Sequence, residues 1–121
     1  MKVIMFNNPS CSKCRQARIQ LETSSCEIES IEYLTDPPTT KELKNVLELL
    51  GIPAVELVRK KEPLYSEKFA GKKFTNAEWI KIMSKNPVLI QRPILISGNR
   101  AIIGRDEQKL KEWLKVPMKK K

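Results

Sequence analysis

The opening of the chain, from Lys2 to Tyr33, leaves it few ways to fold. Lys2-Val3-Ile4-Met5-Phe6 is a short apolar run ended by Asn7-Asn8-Pro9-Ser10, a cluster that breaks a strand and opens a turn. Helical signals begin at once. Cys14, Ala17, Arg18 and Leu21 fall at helical spacing, and Thr23-Ser24-Ser25 closes the segment. Glu27-Ile28-Glu29-Ser30-Ile31-Glu32-Tyr33 then alternates roughly as a half-buried strand does. A β-α-β opening favours a parallel pair joined by a right-handed crossover.

The middle reads as helical. After the interruption at Asp36-Pro37-Pro38, Thr39-Thr40-Lys41-Glu42 matches a capping box, in which hydroxyl and carboxylate satisfy free helix N–H groups reciprocally. Leu43, Val46, Leu47 and Leu50 supply the apolar stripe, and Gly51 supplies the stop. Residues 53 to 73 suit one or two short helices with a charged connection. A second capping box, Thr75-Asn76-Ala77-Glu78, opens a helix carrying Trp79, Ile80 and Met83. The end changes texture. Ile94-Leu95-Ile96 and Ala101-Ile102-Ile103 are β-rich runs around Ser97-Gly98-Asn99-Arg100, a hairpin signal in which both Gly98 and Asn99 tolerate positive φ. Leu110, Trp113 and Leu114 give a last helix its apolar face. The order is β-α-β, a helical insertion at about 39–85, then β-β-α, in a single domain over residues 1–121 with a basic tail at 117–121.

Three cysteines without a histidine narrow the chemistry. Cys11 and Cys14 form a C-x-x-C pair and Cys26 stands apart; a zinc ribbon needs a second ligand pair, so no structural metal is expected. No apolar run reaches the ~20 residues that span a bilayer, and the N-terminal run is too short for a signal peptide, so a cytoplasmic protein is expected. Net charge is +9, from 23 Lys and Arg against 14 Asp and Glu, but the basic residues are scattered and no helix-turn-helix pattern stands out. Direct nucleic-acid binding is not expected.

Attack by sulfur needs thiolate, and a free cysteine with pKa ~8.5 is mostly protonated at neutral pH. A thiol at a helix start meets unpaired backbone N–H groups and the positive end of the helix dipole. Cys11 falls in that place, with Lys13 and Arg15 adding positive charge, while Cys14 lies one turn on, within reach of a modified Cys11. The plainer alternative is that both are small, half-buried hydrophobes. The strand-end placement, the Pro-Ser loop and the cationic neighbours favour a reactive Cys11. Cys26 has no such context. Gln91-Arg92-Pro93 directly precedes the Ile94-Leu95-Ile96 strand, and a proline at a strand start is sterically ordinary.

Five islands in order carry a resemblance: Asn8-Pro9-Ser10-Cys11 with Arg15; Tyr33-Leu34-Thr35-Asp36-Pro37-Pro38-Thr39; Leu57-Val58-Arg59-Lys60; Asn86-Pro87-Val88-Leu89-Ile90-Gln91-Arg92-Pro93-Ile94; and Ile103-Gly104-Arg105. In these the chain resembles the glutaredoxin-linked arsenate reductase (ArsC) family, which also holds the Spx regulators. The resemblance implies an α/β, thioredoxin-like fold: a mixed four-stranded sheet, β-α-β…β-β-α, with a helical insertion. By fold analogy Pro93 is expected to be cis beside the reactive cysteine, with Asn8 structural in the loop. The resemblance further implies that Cys11 attacks the oxyanion and that Arg59, Arg92 and Arg105 bind it, with Arg15 beside the cysteine. Guanidinium forks match the oxygens of arsenate in bidentate geometry, and one such charge at ~4 Å stabilises a thiolate by up to about 4 kcal/mol at an effective dielectric of 20. No bound cofactor is implied; glutathione and glutaredoxin, or thioredoxin, serve as reductant.

The chain departs from the reductases at three places. Asn7 stands where they carry a histidine, so no imidazole assists the thiolate. Cys14 stands where they usually have another residue, which opens an internal route with Cys14 as resolving thiol. Asp106 follows Gly104-Arg105 where they often show proline, and an acid there is placed to pair with Arg105 and weaken anion binding. Spx regulators share the C-x-x-C and an Arg-Pro like Arg92-Pro93 but bind RNA polymerase and sense oxidants. A general thiol-disulfide oxidoreductase is the third reading. Arg59 and Arg105 favour the enzyme; the C-x-x-C favours the regulator.

Overall fold

The computed structural model describes residues 2–115, so the basic tail expected at 117–121 lies outside the described residues. The elements run β1 (Lys2–Asn7), α1 (Ser12–Thr23), β2 (Glu27–Glu32), α2 (Thr40–Leu50), α3 (Ala54–Leu57), α4 (Pro63–Lys68), α5 (Asn76–Lys85), a 3₁₀ turn (Pro87–Leu89), β3 (Ile94–Ser97), β4 (Arg100–Ile103) and α6 (Glu107–Lys115). The strand order is β2-β1-β3-β4. β1 and β2 pair in parallel from Lys2↔Glu27 to Asn7↔Glu32, whereas β1–β3 and β3–β4 are antiparallel. This is the mixed, thioredoxin-like four-stranded sheet that the β-α-β…β-β-α order predicts.

By its contacts the chain divides into two compact units, Met1–Tyr33 with Arg92–Lys121, and Leu34–Gln91. In the sheet unit the two-residue period of β1 decides what lies where. Val3 and Met5 share one buried cluster with Cys14, Ala17 and Leu21 of α1, Leu95 of β3 and Leu110 of α6. Phe6, of the opposite parity to Met5, stacks on Tyr33 with ring centroids 6.5 Å apart. The hairpin between β3 and β4 is a two-residue turn, since Ser97 pairs with Arg100. Only Gly98 takes positive φ there, at 60°. Glycine at the first central position alone is the pattern of a type II′ turn, so Asn99 does not use the freedom expected of it.

The helical unit is built by its caps and its aromatics. Both capping boxes form: Thr39 with Glu42 at α2, and Thr75 with Glu78 at α5. Gly51 ends α2 in the left-handed region at φ 69°, where a side chain would be strained. Trp79 is nearly buried among Tyr65, Phe69 and Phe74, with ring centroids 4.9–6.2 Å from its own. One pairing was not visible in the sequence. Val58 bridges Ile90 antiparallel, and the Arg59 and Gln91 N–H groups donate to the Leu89 and Leu57 carbonyls at 2.6 and 2.9 Å. Among the described residues no helix is long and apolar enough to cross a membrane.

Candidate functional site: a thiol at a helix start

The parallel register of β1 and β2 gathers one set of residues at one end of the sheet. Cys11 follows the C-terminal end of β1, and Tyr33 follows that of β2, because Asn7 is level with Glu32. Antiparallel β3 begins at that same end, since Phe6 is level with Ile94, so Arg92 and Pro93 enter there. Cys26 precedes Glu27, which pairs with Lys2 at the far end of β1, a strand length away, or on the order of 16 Å. That thiol packs against the core and stands apart from the site.

The loop that carries Cys11 is tied by its own backbone. The Asn8 side-chain oxygen accepts from the Ser10 N–H at 3.0 Å, and the Asn8 carbonyl accepts from the Cys11 N–H at 2.9 Å. Arg15 reaches back from α1, its Nη1 donating to the Pro9 carbonyl at 3.1 Å, so this guanidinium clasps the loop. Cys11 is the extended N-cap residue of α1 (φ −91°, ψ 122°), at the end of the helix where backbone N–H groups lack intrahelical partners.

The electrostatics at that end separate the two thiols. Burial pushes Cys11 up, but the Cys14 N–H, the Arg92 guanidinium, the Lys13 N–H and the Cys14 thiol outweigh it and hold Cys11 at about 7, from an ordinary 9.0. Cys14, wholly buried, is pushed up to about 11 by burial and by the negative charge of Cys11, against the opposing Asn8 N–H. Arg92 rises above its ordinary value; burial works against its charge, and its interactions with Cys11 and Tyr33 prevail.

The Arg92–Pro93 peptide is cis. Immediately across the hairpin, Gly104 presses against it: the Gly104 N–H donates to the Pro93 carbonyl at 2.8 Å. A Cβ on Gly104 would lie 3.1 Å from Leu95 Cδ1 and 3.4 Å from Pro93 Cγ. That close approach brings Arg105 to the site, its Nη1 donating to the Arg92 carbonyl at 2.9 Å. Asp106 is occupied elsewhere, contrary to the pairing with Arg105 that the sequence suggested. Its Oδ1 accepts from the Gln108 and Lys109 N–H groups at 2.9 and 3.0 Å and caps α6, and those contacts, led by Lys109, hold its carboxyl low.

The sheet unit thus brings together Cys11, Cys14, Arg92 and Arg105, with Asn8 and Arg15 shaping the loop. Arg59 belongs to the helical unit. There its Nε lies 3.8 Å from a Glu62 carboxylate oxygen, and its Nη1 is buried with no hydrogen-bond partner among the described residues. A cavity of about 630 Å³ in the same unit is lined by Leu47, Gly51, Ile52, Pro53 and Ile80, and by none of the candidate site residues. Sequence reasoning missed Tyr33 as a site residue. The available signal was an aromatic at the end of a strand parallel to the one that delivers the cysteine.

Comparison with known proteins follows the same lines. The model of the ArsC family matches residues 6–113. The uncharacterized protein YfgD of Escherichia coli K12 is 35% identical over 113 residues, covering 92% of this chain and 95% of YfgD. A protein named arsenate reductase from Haemophilus influenzae is 35% identical over 116 residues, covering 94% of this chain and all of the relative. Among solved structures, arsenate reductase from Vibrio cholerae superposes with a TM-score of 0.86 at 33% identity, covering 93% of this chain and 97% of that one.

Proposed function

The chain belongs to the ArsC family, and from that premise we propose that it is a thiol-dependent reductase of arsenate or a related tetrahedral oxyanion, with Cys11 as nucleophile. The observation that carries the reading is a thiol at the N-cap of α1, at the end of the sheet where Arg92 enters, an environment that lowers Cys11 to about 7. At neutral pH much more of Cys11 is thiolate than in an ordinary cysteine, beside a cation suited to an oxyanion. Arg105, tied to the Arg92 carbonyl, joins the proposed anion-binding set, to which the family resemblance adds Arg59. The similar proteins named arsenate reductase support the choice of substrate.

Cys11 Sγ attacks the arsenic of arsenate; an As–S bond forms, and an arsenic-bound hydroxyl leaves as water after taking up a proton. Cys14, as thiolate, then attacks Cys11 Sγ. The S–S bond forms as the As–S bond breaks, and its electron pair stays on arsenic, which leaves as arsenite. Two thiols are oxidised and As(V) is reduced to As(III). Once Cys11 is bonded to arsenic its negative charge is gone, and with it one of the causes that keeps Cys14 protonated. Thioredoxin or glutaredoxin then reduces the disulfide in the cytoplasm; with glutathione as attacking thiol, Cys14 is dispensable.

The test is arsenate-dependent NADPH oxidation coupled to glutathione and glutaredoxin or to thioredoxin. Absence of turnover with both couples would sink the proposal. A second reading, an Spx-like redox regulator with the Cys11–Cys14 pair as switch, is favoured by the one-turn spacing of the two thiols and the influence of each on the other's ionisation. It requires RNA polymerase to be retained from cell extract by the immobilised protein, and an empty eluate counts against it.

A further inference from the structure

Tyr33 is wholly buried, stacked on Phe6 and placed at the end of the sheet that holds Cys11 and Arg92. Its hydroxyl is buried, and among the described residues no hydrogen bond of ordinary geometry satisfies it. The Nε of Arg92 is buried and unsatisfied in the same way. A phenylalanine would fill the same space without an orphaned hydroxyl, and native proteins rarely bury one without reason. The Arg92 guanidinium interacts with both the phenol and Cys11. Hydrogen bonds at reactive sites are often long before substrate binds and tighten in the complex.

We propose that Tyr33 is a positioning residue whose phenol oxygen holds the Arg92 guanidinium against Cys11. The inference rests on Cys11 being the reactive thiol of the proposed reductase, and not on arsenate being its substrate. Arginine has several rotatable bonds, and a cation serves the thiolate only where it is held. Accepting from Arg92 is a task that a neutral phenol performs. Burial, together with the negative charge on the two thiols, pushes the Tyr33 hydroxyl up to about 12, so it stays neutral wherever Cys11 titrates. The ionisable groups interacting with Cys11 here are Cys14 on α1, Arg92 before β3 and Tyr33 after β2.

Tyr33→Phe keeps the ring and its stack and removes only the oxygen. The readout is the pH dependence of iodoacetamide modification at Cys11, followed by mass spectrometry, in the natural and the Arg92→Gln backgrounds. With Arg92 present, Tyr33→Phe is expected to raise the Cys11 midpoint by about 0.5 to 1 pH unit. With Gln at position 92 it is expected to change nothing. An unchanged midpoint, or an equal rise in both backgrounds, overturns the proposal. Below pH 6, where Cys11 is protonated with either side chain at position 33, the melting temperature should be unchanged, and a loss of stability should appear only as Cys11 ionises. Should Tyr33→Phe fail to fold, tyrosine-ring NMR tests the same contact: Arg92→Gln must move the Tyr33 ring carbons and leave those of Tyr65 in place, and an unmoved Tyr33 overturns the proposal. The titration needs no oxyanion, so a wild-type protein inert toward arsenate defeats the substrate assignment and leaves this result standing.

Discussion

Cys14 lies one helical turn from Cys11, and its thiol helps hold Cys11 down to about 7, while burial and the negative charge of Cys11 push Cys14 up to about 11. Two equivalent thiols with the ordinary value of 9.0 would titrate together. Here the more exposed sulfur receives the helix-start N–H groups and Arg92, while its neighbour is enclosed in the core with Val3, Met5, Ala17 and Leu21. The sheet unit thereby produces one accessible thiolate and one protonated, sheltered thiol from a single C-x-x-C.

That separation predicts the alkylation profile. Cys11 should be modified with a midpoint near pH 7, and Cys14 should resist until the pH approaches 11 or the chain unfolds. Site-resolved mass spectrometry after a short iodoacetamide pulse at stepped pH reads both. Equal modification of the two thiols at pH 8 contradicts the arrangement.

Stability should follow pH in a matching way. The folded Cys11 sits below its ordinary 9.0, so its contribution is complete above pH 9 and is lost as pH falls through 7. The folded Cys14 sits above 9.0, so its neutral thiol stabilises the fold below pH 9, and that contribution is lost as pH rises through 11. The melting temperature of the reduced protein should therefore gain from Cys11 between pH 7 and 9. Cys11→Ser should flatten that rise relative to the parent, and an identical slope in both proteins would contradict the assignment.

How much of this was legible in the sequence depended on range. Local signals carried far: the Thr39–Glu42 and Thr75–Glu78 boxes and the Gly51 stop depend on residues within one turn, and each forms. The β-α-β opening carried the parallel register, and that register places Cys11 at its end of the sheet. What escaped depended on contacts between distant segments. The Val58–Ile90 bridge has too few residues on either side to show a period. Tyr33 looked like the last residue of a strand, because nothing local marks a hydroxyl as unsatisfied or names Arg92 as its neighbour. Asp106 misled for the same reason. Adjacency suggested a partner in Arg105, but two backbone N–H groups at the start of α6 are nearer in geometry than the side chain beside it.

Removing the inner thiol should divide the two reductive routes. Cys14→Ser leaves Cys11 to form an adduct that no internal sulfur can release, so thioredoxin-coupled turnover should fall by at least tenfold. Glutathione with glutaredoxin should still support turnover, because an external thiol replaces Cys14. Steady-state NADPH oxidation with each couple decides it. Full thioredoxin-coupled activity in Cys14→Ser would remove Cys14 from the cycle.

Gly104 offers a test of whether the hairpin positions Arg105. An alanine there puts a carbon 3.1 Å from Leu95 Cδ1 and 3.4 Å from Pro93 Cγ, and Leu95 is wholly buried, with little room to give. Overpacking of this kind costs about 1–3 kcal/mol. Relief requires the chain at Gly104 to lift away, lengthening its 2.8 Å hydrogen bond to the Pro93 carbonyl and carrying Arg105 from the Arg92 carbonyl. Gly51→Ala is the control. It strains a left-handed residue with nothing within 4 Å of the new carbon, costing about 1 kcal/mol in a part of the helical unit that holds none of the candidate site residues. Both variants should lower the melting temperature, but only Gly104→Ala should raise the KM for arsenate, by roughly three- to tenfold for a loss of about 0.7–1.4 kcal/mol of oxyanion binding. Equal KM values in the two variants would show that Arg105 is held by something other than the close packing of Gly104 on Pro93.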